Sequence, residues 1–102
     1  MNEVEFKNWL SQKEVNKKVQ SDCISRLRRI EREFNHCDID EQYRNDKCAY
    51  LLSLFVNNGI NDAIKEYSNI NLPIGKSYMS TYRHALKQYI KYCEEAVISK
   101  NQ

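Results

Sequence analysis

Apolar residues recur along this chain at steps of three and four, the period of helices that bury one face. In residues 2–13, NEVEFKNWLSQK, the stripe is Phe6, Trp9 and Leu10; Asn2 is placed to cap, and Glu3 and Glu5 sit at the positive end of the helix dipole. Residues 16–35, NKKVQSDCISRLRRIEREFN, carry Val19, Cys23, Leu27, Ile30 and Phe34 behind a capping Asn16 and predict a second, longer helix. Residues 36–59 predict one third helix, opened by Asp38 or Asp40, running through Tyr43, Tyr50, Leu51, Leu54 and Phe55, and stopped at Gly59. The stretch that follows is irregular: one short helix fits over Asp62 to Tyr67, Pro73 pushes Leu72 toward extended backbone, and Gly75 ends the linker. The fourth helix is predicted from about Lys76 to about Ser99, with Met79, Tyr82, Leu86, Tyr89 and Cys93 on its apolar face.

These elements predict an all-α fold: a single domain over residues 1–102, built as a small four-helix bundle with one short extra helix in the 60–74 linker. The expected core is Phe6, Trp9, Leu10, Val19, Cys23, Leu27, Ile30, Leu51, Leu54, Phe55, Met79, Tyr82, Leu86 and Tyr89. With only 2 Gly and 1 Pro, the composition suits long helices rather than a sheet with many turns, and 41% hydrophobic residues in 102 suffice for one modest core.

Four cysteines, Cys23, Cys37, Cys48 and Cys93, form no CxxC pair, and the acidic, amphipathic start MNEVEFKNWL does not read as a secretory signal. Free thiols and a cytoplasmic localisation are therefore expected. His36, Cys37, Cys48 and His84 have zinc-ligand chemistry, but only His36 and Cys37 are close in sequence, so neither a metal nor another cofactor is expected. No apolar run approaches the roughly 20 residues of a membrane span.

Charge changes the picture through its distribution. Sixteen basic and 14 acidic residues leave a net charge of only +2, yet residues 16–32 hold six bases and two acids, and residues 76–91 hold four bases and no acid. Residues 35–66 reverse the balance, with three bases and six acids. Within GKSYMSTYRHALKQYIKYCEE, Arg83, Lys87 and Lys91 recur at steps of four, and Lys76 lies seven residues before Arg83. Such a row, assisted by Lys17, Lys18 and Arg29 of the second helix, suits contact with the phosphate backbone of double-stranded DNA. Ser77, Tyr78, Ser80 and Thr81 lie near it as further hydrogen-bond donors.

The motif order EFKNWL, VNKKVQSDCISRLRRIEREF, DIDEQYRNDKCAYLLSLF and GKSYMSTYRHALKQYIKYCEE resembles the N-terminal core-binding, SAM-like domain of tyrosine recombinases, the phage integrase family. The resemblance spans nearly the whole chain. It rests on the WL of the first helix and on Tyr78, Tyr82, Ala85, Leu86, Tyr89, Ile90 and Tyr92 of the fourth. It implies a helical DNA-binding module of phage or mobile-element type. Two features depart from the family pattern: Cys23 stands where an aromatic is common, and the linker from Ile60 to Ile74 is long. The catalytic Arg, His-x-x-Arg and Tyr set of that family has no counterpart here, so the resemblance implies no strand transfer.

No enzyme reading gains support. The carboxylates lie at predicted helix starts or on polar faces, and His84 has two cationic neighbours, Arg83 and Lys87, with no orienting carboxylate. LPIGKS lacks the first glycine and the preceding strand of a phosphate-binding loop. Two readings remain: a non-catalytic DNA-binding module, or a small interaction module or inhibitor whose lysines and arginines meet an acidic partner surface or a nucleic-acid-processing enzyme.

Overall fold

The computed structural model describes the backbone of residues 1–100 and the side chains of residues 1–96. Five α-helices follow one another: α1 (Glu3–Gln12), α2 (Lys17–Glu33), α3 (Ile39–Asp46), α4 (Ala49–Ser53) and α5 (Met79–Lys100). Two short segments lie between α4 and α5: a turn at Val56–Gly59, in which Asn57 and Asn58 are left-handed, and a single 3-10 turn, Ala63–Glu66, within the residues where the short linker helix was expected. The described residues contain no strand, and no described helix is long and apolar enough to cross a membrane. The fold is all-α.

The predicted caps close the first helices. Asn2 accepts the Glu5 amide at 3.3 Å, Asn16 accepts the Val19 amide at 2.9 Å, and Asp38 accepts the Asp40 amide at 3.1 Å. At the other end of α2, Asn35 and His36 turn left-handed (φ 59° and 53°) and the Cys37 amide reaches back to the Glu31 carbonyl at 3.1 Å.

The predicted third helix is broken. Lys47 and Cys48 are both left-handed (φ 57° and 64°), and their amides return to the carbonyls of Tyr43 (2.8 Å) and Gln42 (3.3 Å). The cause is packing. On one straight helix Ile39 and Cys48, nine residues apart, would lie on opposite faces at about 100° per residue. The break lets both be fully buried together with Leu51, Leu54 and Phe55, and Asp46 restarts the chain by accepting the Tyr50 amide at 3.0 Å. The fourth predicted helix also begins later than expected. Gly75 is left-handed (φ 80°), and residues 76–78 form a tight lead-in whose carbonyls take the amides of Met79, Ser80 and Thr81 at 3.0–3.2 Å.

The long α5 is the centre of the molecule. It lies antiparallel to α2: Arg29 meets Tyr82 near the start of α5, while Val19 and Cys23 lie opposite Ala85 and Gln88. Phe6 of α1 packs edge-on to Tyr89 and Tyr92, with centroids 4.9 and 5.6 Å apart. The buried Tyr89 hydroxyl accepts the Asn2 amide (2.7 Å) and donates to Asp40, joining the starts of α1 and α3 to α5. Beside it the Met1 ammonium lies 2.8 Å from Asp38 and 3.2 Å from Glu31. Burial alone would lower the pKa of this amine, but the hydrogen bond to Asp38 and the charges of Glu31 and Asp40 outweigh it and raise the pKa to about 10.

Of the expected core, Val19 alone is misplaced: it is 48% exposed. Ile24, Phe34, Ile39, Cys48, Ile64, Leu72, Ala85, Tyr92 and Cys93 complete the interior, together with Gln20, whose amide bonds the Val15 carbonyl at 2.6 Å. Leu86 is fully buried. Leu86→Ala is therefore expected to lower the unfolding free energy by roughly 2–5 kcal/mol. Val19→Ala is expected to change it by no more than about 0.5 kcal/mol. Urea denaturation measures both, and equal losses would contradict this packing.

Candidate nucleic-acid interface

Burial of Met79, Tyr82, Ala85, Leu86, Tyr89 and Cys93 leaves the opposite side of α5 to Ser80, Arg83, His84, Lys87 and Lys91, all exposed. Residues four apart on this face rise about 6 Å along the axis, so Arg83, Lys87 and Lys91 form a regular row. Antiparallel packing brings α2 alongside, and a shallow groove of about 470 Å³ runs between the two helices. Arg26 lines its α2 side; Ser80, Thr81, Arg83, His84 and Lys87 line its α5 side, with no carboxylate among them.

The remaining arginines of α2 have intrachain partners. Arg28 forms a bidentate pair with Glu3, and Arg32 pairs with Glu33 at 3.2 Å. Glu33 also accepts the Asn71 amide at 2.7 Å, and this bond, followed by Arg32, holds its carboxyl below the usual range. Arg29, expected at the phosphate surface, is half-buried and serves the fold. Its guanidinium donates to the Tyr82 hydroxyl at 2.9 Å and to the Asn71 carbonyl, lies over the Tyr82 ring, and so ties the linker to α2.

The other expected contacts divide. Arg83 and Lys87 are brought together with Arg26, and Lys91 continues their row one turn further. Lys76 is exposed but precedes the helix and does not share its register. Lys17 and Lys18 are exposed in the first turn of α2; Lys17, nine residues before Arg26, projects from the opposite side of the helix. Arg26 was counted in the charge of the second helix but not placed at the surface. Its position, three residues after the core Cys23 and at the edge of the apolar stripe, is the sequence signal for the flank that meets α5. The hydroxyls of Ser80 and Thr81 donate to the carbonyls of Ser77 (2.9 Å) and Tyr78 (2.7 Å), so they offer lone pairs rather than protons to the groove.

Among the described residues, none of Arg26, Arg83 and Lys87 forms an ion pair. Several acids are engaged elsewhere: Glu5 accepts from Tyr92 at 2.9 Å, Glu95 pairs with Lys13 at 3.0 Å, and Asp38 and Glu31 hold the amino terminus. Unpaired cations sharing one groove reinforce each other's field, and an anion placed there relieves their repulsion.

The candidate metal ligands are not gathered. Cys48 lies in the core and His84 in the groove, and among the described residues no group of three or more His, Cys, Asp or Glu side chains is placed to hold a metal ion. All four cysteines are free. Burial pushes the thiols of Cys23 and Cys37 up to about 11 and those of Cys48 and Cys93 up to about 12, so they rest protonated at neutral pH.

No family model, curated protein or solved structure matches this chain. The two classes of α2 arginine are separable by stability. Arg29→Ala strands the Asn71 carbonyl and the Tyr82 hydroxyl and is expected to lower the unfolding free energy by roughly 1–3 kcal/mol. Arg26→Ala is expected to stay within about 0.5 kcal/mol of the parent. Thermal or urea unfolding with the opposite order would contradict these assignments.

Proposed function

We propose that this chain is a non-catalytic DNA-binding module that holds the phosphate backbone of double-stranded DNA in the groove between α2 and α5. Arg26, Arg83 and Lys87 supply the primary contacts, and Lys91 extends them along the strand. The observation that carries the reading is the acid-free groove whose cations have no carboxylate partner among the described residues. Arginine and lysine neutralise phosphates and release condensed counterions, which gives affinity without base recognition. The resemblance of the helix order to the core-binding domain of tyrosine recombinases supports the same reading, and with it a module of phage or mobile-element type.

Binding of this kind is weak and sensitive to salt: a dissociation constant of roughly 10⁻⁴ to 10⁻⁶ M is expected at physiological ionic strength. If the four cations each neutralise one phosphate, the log affinity falls against log salt with a slope of about −3 to −4. Charge reversal at Arg83, Lys87 and Lys91 together abolishes binding and leaves helicity and melting temperature near those of the parent. Fluorescence anisotropy with a labelled duplex reads affinity and slope. Absence of binding by the parent at low salt, with capture of an acidic protein through the same residues, would replace this reading by that of an interaction module.

A further inference from the structure

Next to the basic groove lies a second, more enclosed cleft of about 140 Å³. Its floor is apolar, formed by Leu10, Val15, Cys23 and Ala85, and Val19, exposed to 48%, forms its lip. Gln88 and His84 stand side by side on the α5 wall, their side-chain nitrogens 3.4 Å apart. Arg26, Thr81 and His84 line both the cleft and the groove, so an apolar hole and a cationic track share one wall.

Resting on the DNA-binding reading, we propose that this cleft is a subsite for one unpaired pyrimidine base, whose flanking phosphates lie in the groove. The size fits a single ring: an engineered apolar cavity of about 150 Å³ accommodates benzene. The chemistry fits as well. A pyrimidine has apolar faces and a polar edge of carbonyl and N–H groups, and the Gln88 amide and His84 imidazole offer both donors and acceptors at the rim. A paired base is inaccessible to such a hole, so the preferred DNA carries a base out of the stack: a bulge, a tail or an everted nucleotide. The cleft also accounts for an apolar Val19 left at the surface, where the fold gains little from it.

The test uses one duplex in four forms: fully paired, or carrying at one position an unpaired thymine, an unpaired adenine or an abasic gap. Anisotropy titrations of the parent protein are expected to show the unpaired-thymine duplex bound roughly tenfold tighter than the paired one, the scale of a single base–side-chain contact. The abasic form should fall back to the paired value, and adenine should gain less than thymine. Val19→Phe, which fills the cleft from its exposed lip, and Gln88→Ala, which removes the polar edge, should each erase the thymine preference while keeping the affinity for the paired duplex. Equal affinity of the parent for all four forms, or a thymine preference that survives Val19→Phe, overturns the base subsite and leaves backbone binding standing. Failure of the parent to bind any of the four at low salt overturns the backbone reading and the subsite with it.

Discussion

Burial of one face of α5 is the constraint from which the rest of the molecule follows. Met79, Leu86 and Tyr89 are fully enclosed, and the helical period then sends residues 80, 83, 84, 87 and 91 outward. The basic row is therefore as fixed in space as the core is, because each step that buries an apolar side chain sets the direction of its neighbours. The same burial recruits α2 in antiparallel order, and that order places Arg26 opposite Thr81 and His84. A cationic groove arises without any residue being strained to build it.

Charge is sorted as a consequence. A net charge of +2 conceals a molecule whose carboxylates are largely matched internally, by the amino terminus, Arg28, Arg32, Lys13 and tyrosine hydroxyls. Exposed pairs of this kind stabilise the fold little. Their effect here is on the field: they neutralise those acids, while the lining of the α2–α5 groove carries one sign. A low net charge is thus compatible with a strongly polarised surface, and the segment-by-segment count of the sequence reported that polarity where the total did not.

Much of the fold was legible in the sequence because caps and apolar period agree. Asn2, Asn16 and Asp38 each accept an amide as their positions suggest, and the first two helices and the fourth keep their stripes. The third element misled because the run from Tyr43 to Phe55 matches a helical period on average. The facing requirement of Ile39 and Cys48 is a tertiary one, and the pair Asn45-Asp46 was the sole local hint of a turn. Val19 was assigned inward because it fits the four-residue step; it lies at the edge of the stripe, where an element's neighbours decide burial. The geometry of the candidate groove was legible in part. Arg83, Lys87 and Lys91 follow from one helix, but Arg26 and Arg29 share a helix and a charge, and only the packing of α2 against α5 and the linker sends one to the groove and the other into a latch.

The most direct measurement is a titration of the isotopically labelled protein with a short DNA duplex, followed by amide chemical-shift mapping. The account predicts shifts concentrated at Arg26 and along residues 80–91 on the groove side of α5, growing weaker as salt is raised, with α3 and α4 unaffected. Shifts centred on α3 and α4, or a spectrum unchanged at low salt, would contradict it.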